Sequence, residues 1–267
     1  MKPANYYWRL FATGLCFACF GIGALFISSI IFPLQTLLIK NKIKRNKIAR
    51  YTIHKAFALF VAMMKFWGVL TVKLEKFEQL KVMRSQVVIA NHPSLIDVIL
   101  IVAYLPNADC VVKSALFKNP FLRGVVKRVG YIDNDDSEQL FMDCKKSLAL
   151  GCNIVVFPEG TRSINGQSLV FKRGAANIAV RCQANYQPIF ISVKPSTLTK
   201  KESWYDVPNK KVVITLTAQT PIDNSKYFNQ TNTSLAVRAL TRETQQYFCK
   251  ELELHDGHSK NFKIINY

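Results

Sequence analysis

The chain has 267 residues, 49% of them hydrophobic, and carries 36 Lys and Arg against 17 Asp and Glu for a formal charge of +19. That length suits one catalytic-sized domain with an appendage, and the apolar share is ample for a core. The positive excess draws polyanions, whether nucleic acid, anionic lipid headgroups or phosphorylated ligands, without choosing among them. Seven cysteines, an odd number lying mostly in apolar runs, argue for reduced thiols and against a disulfide framework.

Leu10 to Ile39 has no charged residue over 30 positions. A bilayer-crossing helix needs about 20 apolar residues, and the run is too long for a signal-peptide core and lacks a small-x-small cleavage site. Gly21, Gly23 and Pro33 could break it. A single tilted span and a re-entrant helical hairpin both stay open, with a buried core helix as the plainer alternative. Cys16-Phe17-Ala18-Cys19 has redox spacing but lies inside this apolar run without a βαβ context, which argues against a redox role.

Lys40, Lys42, Lys44, Arg45, Lys47 and Arg50 follow, six cations in eleven residues. Beside an apolar segment they point to the cytoplasmic side of a membrane and to anionic headgroups. Nucleic acid is the weaker alternative for such a run. Lys2 and Arg9 oppose this orientation only weakly, and a hairpin removes the conflict. The division expected is a membrane anchor with its basic run over 1–50 and a catalytic domain over 51–267. The domain begins with an apolar, aromatic helix, Ile53 to Leu70, lying on the membrane or packed on the domain.

Strand and helix patterns then alternate. Strands are expected at Val69–Leu74, Gln86–Ala90, Asp109–Val112, Tyr131–Asp133, Asn153–Phe157, Pro188–Val193 and Lys211–Thr217. Helices are expected after His92 to about Tyr104, over Leu116–Arg128 with an interruption at Pro120, and over Ser137–Leu150, Gly174–Gln183 and Ser234–Leu252. The order implies an α/β fold, a mostly parallel central sheet flanked by helices, with the membrane-embedded helix or hairpin before it. The tail His255-Asp256-Gly257-His258 lacks further ligands nearby and is expected to be solvated, not a metal pair.

Two of the strands, Gln86–Ala90 and Asn153–Phe157, are short and apolar without alternation, as central parallel strands are. Each runs into polar turn residues. The first leads to Asn91-His92-Pro93-Ser94-Leu95-Ile96-Asp97, where Pro93 suits the first residue of a helix. His92 is then placed on the turn between strand and helix, with Asp97 near enough in sequence to reach its imidazole. Because His92 lies outside the helix, helix phase does not establish the contact, and a capped helix with a solvated His and Asp remains the alternative. The second leads to Pro158-Glu159-Gly160-Thr161-Arg162-Ser163. If the two strands are parallel, both turns open on one edge of the sheet, where α/β folds bind ligands. A possible base, His92, then stands near a possible anion receptor, Arg162, whose guanidinium fork suits phosphate.

These residues carry a family resemblance. Asn91 to Asp97 matches the NHxSxxD form of the HxxxxD motif, and Phe157 to Ser163 matches FPEGTRS, about 65 residues later. The ordered pair resembles the glycerolipid acyltransferases of the 1-acylglycerol-3-phosphate type over roughly Val69 to Val193. Lys113 matches a family lysine, and Phe171-Lys172-Arg173-Gly174 and Pro188-Ile189-Phe190-Ile191 resemble later blocks. The resemblance implies O-acyl transfer from acyl-CoA or acyl carrier protein to the free hydroxyl of a lysophospholipid, with 1-acylglycerol 3-phosphate giving phosphatidate as the leading case. It implies no cofactor beyond the acyl donor, no metal and no nucleic acid. Its partners would be membrane lipids, and its location a membrane, the bacterial inner membrane with the catalytic domain on the cytoplasmic face.

In those roles His92 is the general base toward the acceptor hydroxyl and Asp97 holds its tautomer and stabilises the imidazolium. No Ser or Cys nucleophile is needed because a thioester is already activated, so Ser94 orients the loop, with Asn91 and Pro158 supporting the motifs. Lys113 and Arg162 are the expected phosphate ligands. Glu159, Gly160 and Thr161 are grouped with them as substrate-binding: Glu159 orders the motif loop or the acceptor's polar groups, and Gly160 lets backbone approach the ligand. One block departs from the family: Gly130-Tyr131-Ile132-Asp133-Asn134 has Asn134 where a basic residue is usual. That leaves two alternatives beside lysophosphatidate: another lipid or specialised-metabolite acceptor, or, remotely, a non-catalytic basic protein binding membrane or nucleic acid.

Overall fold

The computed structural model describes residues 4–119, 122–164 and 167–256, with backbone only for 254–256. The side chains of His255 and Asp256, and all of Gly257 and His258, lie outside the described residues. Helix α1 (Ala4–Phe26) passes through a π-helical stretch, Ile27–Ile31, straight into α2 (Phe32–Leu38). Gly21 and Gly23 do not break it, and Pro33 falls just after the π-helical stretch, whose altered hydrogen-bond spacing accommodates a residue without an N–H. The reversal comes later, at Ile39–Asn41, where Asn41 caps α3 (Lys42–Phe66) by accepting from the Lys44 N–H at 3.0 Å.

Aromatic pairs fix α1 and α3 as antiparallel: Trp8 stacks near Trp67, and Phe17 and Phe20 meet Phe60. Both ends of the long α1–α2 helix are tied to the same domain. At one end Arg9 donates to the carbonyls of Pro208 and Asn209, and Trp8 to that of Trp67. At the other, Arg128 donates to the Thr36 hydroxyl at 2.7 Å. Between them, only 11% of the most apolar window is buried in protein.

The seven strands are β1 (Leu70–Glu75), β2 (Val87–Ala90), β3 (Ala108–Val112), β4 (Ile132–Asp133), β5 (Asn153–Val156), β6 (Tyr186–Lys194) and β7 (Val212–Ala218). They form one sheet in the order β1-β7-β6-β2-β5-β3-β4. Every pair is parallel except β6 with β7. Between strands lie α4 (Asp97–Tyr104), α5 (Ala115–Lys118), α6 (Arg123–Val129), α7 (Ser137–Ala149) and α8 (Gly174–Cys182), and α9 (Thr233–Asp256) follows β7.

Successive strand residues point to opposite faces, and both faces are covered. Val88, Ala90 and Val155 pack beneath α3 and α4, while Val87, Ile89, Ile154 and Val156 pack beneath α7, α8 and α9. Burial on both sides accounts for the unalternated apolar runs at β2 and β5.

Two cations depart from their sequence assignment. Arg50, grouped above with the headgroup-binding run, is buried and pairs with Asp109 Oδ1 at 2.9 Å. Arg9 is also buried. Each sits one turn or more inside a helix that packs on the domain, so its charge meets protein acceptors instead of lipid. The seven cysteines are free thiols; Cys110, Cys144 and Cys152 are buried within the sheet domain and Cys16 within α1.

Candidate active site

β2 and β5 are adjacent and parallel, with Ile89 opposite Val156. Their polar turns therefore emerge side by side at the carboxyl edge of the sheet. The first differs in detail from the expected strand-to-helix turn. Helix α4 starts at Asp97, not at Pro93. The residues between form a turn closed by the Asp97 carboxylate, whose Oδ2 accepts from the Ser94 N–H at 2.7 Å. That bond draws the carboxylate back over the turn and under the imidazole.

His92 Nδ1 lies 2.8 Å from the same Asp97 Oδ2. With the proton on Nδ1 shared with the carboxylate, Nε2 is the free lone pair. The His92 side chain is 16% exposed and that of Asp97 is fully buried. Burial raises the Asp97 carboxyl above the usual carboxylate range, opposed by the His92 and Ser94 hydrogen bonds and by the nearby Arg162 charge. Asp97 Oδ1 has no hydrogen-bond partner among the described residues, and neither does the buried Ser94 hydroxyl.

The second turn clamps the first. Glu159 Oε1 accepts from the His92 backbone N–H at 2.9 Å and from the Ser163 hydroxyl at 2.8 Å. Ser163 returns its N–H to the His92 carbonyl at 2.7 Å. Burial raises the Glu159 carboxyl too, with the Ser163 and His92 bonds opposing it. Phe157 stacks on the imidazole with centroids 4.2 Å apart. Asn91, buried, fixes the start of the turn from the other side by bonding both the N–H and the carbonyl of Ile191 on β6, each at 2.8 Å. The His92 ring is thus held by a carboxylate, an aromatic face and two backbone bonds.

Gly160 has φ +65°, a conformation that favours glycine. The Lys172 side chain packs across it, within 3.3 Å of where a Cβ would lie, and the Lys172 N–H bonds the Pro158 carbonyl at 2.8 Å. Thr161 is half-buried beside it and Pro158 is buried. Arg162 commits one guanidinium nitrogen to the carbonyls of Leu198 and Thr199, at 3.0 and 2.8 Å. The Leu198 carbonyl also accepts from the Leu95 N–H at 3.0 Å, so Arg162 braces the His92 turn as well as supplying charge.

Lys113 is exposed just past the end of β3, the strand on the far side of β5 from β2. Asn134, exposed just past β4, is held by its N–H to the Val112 carbonyl at 3.2 Å. Neighbouring Asp133 accepts from the Ser114 hydroxyl. His92, Lys113, Arg162 and Asn134 therefore occupy one edge of the sheet.

Sequence reasoning passed over Phe157 and Ser163 as partners of His92, and Lys172 as the cation over Gly160. Strand register was the missing signal: with Ile89 opposite Val156, Phe157 comes beside the residues that lead into His92. Among the described residues no three His, Cys, Asp or Glu side chains gather as a metal-ligand set.

The arrangement can take a proton from a hydroxyl at Nε2 and hold the resulting imidazolium against a buried carboxylate, with cations at hand for an anionic group. A family model described as Acyltransferase matches residues 71–192, which span both turns. The chain is 34% identical over 133 residues to a 1-acyl-sn-glycerol-3-phosphate acyltransferase of Helicobacter pylori, covering 47% of this chain and 56% of that protein. It is 30% identical over 136 residues to the mouse 1-acyl-sn-glycerol-3-phosphate acyltransferase alpha, covering 46% of each. The aligned part spans about half the length of these curated relatives. The crystal structure of the 1-acyl-sn-glycerophosphate acyltransferase PlsC from Thermotoga maritima superposes with a TM-score of 0.62 at 22% identity, over 93% of this chain and 98% of that one, and shares the fold. Over residues 71–192, which carry both polar turns, the chain is thus similar in sequence to the glycerolipid acyltransferases and shares their fold.

Proposed function

We propose that the protein is a membrane-bound O-acyltransferase that moves a fatty acyl chain from a thioester, acyl-CoA or acyl carrier protein, to the free hydroxyl of 1-acylglycerol 3-phosphate. The observation that carries this is the His92–Asp97 contact at 2.8 Å, clamped by Glu159 of the second motif. The relatives named for lysophosphatidate acylation support the acceptor.

His92 Nε2 takes the proton as the hydroxyl oxygen attacks the thioester carbonyl. The tetrahedral oxyanion collapses, the carbon–sulfur bond breaks, and the thiolate leaves with a proton from the imidazolium. Asp97 stabilises that imidazolium, and its burial keeps the interaction free of solvent screening. Lys113 and Arg162 take the acceptor phosphate, and Lys172, lying over Gly160, adds a third cation at the same loop. Glu159 and Ser163 hold the turn rather than the acyl group.

We read the membrane placement from how α1 and α2 sit. Hydrogen bonds from both ends of the helix to one domain favour a helix held along that domain over one that crosses a bilayer. It lies along the domain with its apolar side in one leaflet, as interfacial helices do. The aromatic residues Tyr7, Trp8 and Phe11, all exposed, mark the end nearest Trp67, and Trp and Tyr favour the headgroup level. This bears on the cytoplasmic location expected from the basic run: the basic residues then share a side with the catalytic edge. With the seven native cysteines replaced by serine or alanine, single cysteines introduced at Tyr7 and Leu37 should label from the same side of sealed vesicles. Labelling from opposite sides means a crossing helix.

A second acceptor class is favoured by one position, Asn134, where the family has a basic residue. The test is a panel on detergent-purified protein, with lysophosphatidate, other lysophospholipids and glycolipids as acceptors and acyl-CoA and acyl carrier protein as donors. A preference of about 10-fold or more for lysophosphatidate, some 1.4 kcal/mol, upholds the first reading. A like preference for an uncharged acceptor replaces it.

A further inference from the structure

At the amino edge of the sheet, opposite His92, lies a second cleft of about 630 Å³. Its floor is the pair of loops entering β3 and β5, where Asn107 donates to the Gly151 carbonyl at 2.9 Å and accepts from the Cys152 thiol at 3.4 Å. Its walls are one face of α3, with Ile43, Lys47, Arg50 and Tyr51, and on the other side Arg84. None of the lining residues is acidic. Arg50, 7% exposed, gives one guanidinium nitrogen to both oxygens of Asp109. Arg84 has one nitrogen on the carbonyls of Lys81 and Met83 and is otherwise exposed. With Arg50 balanced by Asp109, Lys47 and Arg84 leave the cleft with two positive charges and no carboxylate among its described lining residues.

The rim is apolar. Ile43, Tyr51 and Leu150 are exposed there. A few residues before α3, at the end of the long apolar helix, Leu37 and Leu38 are 77% and 71% exposed. A cationic cleft with an apolar rim and a neighbouring apolar helix end fits an amphiphile with an anionic head and hydrocarbon tails. A free anion would leave the rim unused. A nucleic acid would want a continuous basic surface without exposed leucines.

We propose that this cleft is a second lipid site, separate from the catalytic edge, that binds the phosphate of an anionic membrane phospholipid through Lys47 and Arg84. It rests on the proposed placement of α1 and α2 in one leaflet. The site holds the domain to anionic bilayers and takes a phosphodiester lipid that is neither substrate nor product of the reaction.

The test uses the full chain in neutral detergent and dihexanoyl phosphatidylglycerol, titrated calorimetrically. Charge reversal in the double variant Lys47→Glu/Arg84→Glu should weaken binding at least about 10-fold. Lys44→Glu, an exposed cation of the same run that does not line the cleft, and Arg162→Ala, at the catalytic edge, should each leave it within about 2-fold. Turnover of a micelle-dispersed acceptor by the double variant should equal that of the wild type. Equal affinity in the double variant, equal loss in Lys44→Glu, or displacement by equimolar inorganic phosphate overturns the proposal. Flotation on neutral phosphatidylcholine vesicles separately tests the leaflet placement. Failure there with cleft-dependent titration intact removes that placement and leaves the headgroup site standing.

Discussion

Two buried aspartates divide the work of this molecule. Asp109 sits beneath the amino half of the sheet, with both oxygens bound by Arg50, at 2.9 and 3.1 Å, and the Ser147 hydroxyl on Oδ2. Asp97 sits at the carboxyl edge, with one oxygen shared by His92 and the Ser94 N–H and the other without a partner. Burial pushes both carboxyls up, opposed at Asp109 by a permanent guanidinium and at Asp97 by a titratable imidazole. With both Asp109 oxygens bonded and a partner that keeps its charge, the first pair holds helix α3 to the sheet. The unsatisfied pair has a partner that can gain and lose a proton, which is what a base requires.

Breaking the structural pair should have the largest effect on folding. Arg50→Met strands a buried carboxylate and should lower unfolding stability by about 3–5 kcal/mol, read from denaturant midpoints, while the folded fraction keeps its turnover per molecule. Adding Asp109→Leu should recover most of the loss, because an apolar pair of similar volume replaces both charges. No recovery would mean that the pair is not an isolated structural unit.

Asp97→Asn should behave in the opposite way. Turnover should fall about 10²-fold, since the imidazolium loses its counter-charge. Stability should stay within about 1 kcal/mol of wild type at pH 7.5. The sign follows from linkage. A carboxyl whose folded-state pKa is raised favours folding most below its unfolded pKa of about 3.9 and loses that contribution as pH rises through the raised value. At pH 7.5 Asp97 therefore adds less to stability than it does in acid, and its amide gives up only the hydrogen bonds. A large stability loss with turnover intact would make Asp97 the structural residue.

Smaller effects test the clamp. Glu159→Ala leaves the His92 N–H and the Ser163 hydroxyl without their acceptor and should cost about 1–3 kcal/mol, shared between stability and kcat. Phe157→Leu removes one stacked ring, worth about 0.5–1.5 kcal/mol, and should lower kcat a few-fold with KM unchanged. A rise in KM alone would place Phe157 against substrate instead of against His92.

Much of this was legible in the chain. Each of the seven strands coincides with a short β-rich run that stands out between polar loops, most clearly at β2 and β5, which are buried on both faces. His92, Asp97, Glu159 and Arg162 were marked by motif and by their place after β2 and β5. What was hidden is tertiary. The partner of Arg50 lies 59 residues away in the chain, so nothing local separates it from the five neighbouring cations. The start of α4 moved to Asp97 because a side-chain bond to Ser94 holds the preceding turn, a choice invisible to the Pro93 rule. The continuity of α1 into α2 depends on the π-helical stretch before Pro33, which hydropathy does not report.

The most direct test of the central claim is single-turnover acyl transfer from an acyl thioester to lysophosphatidate by the purified chain and its His92→Ala variant, each checked for folding by its denaturant midpoint. Wild-type transfer with a loss of about 10²–10⁴-fold in a folded variant is the predicted result. Transfer at an undiminished rate by the folded His92→Ala protein would contradict the account.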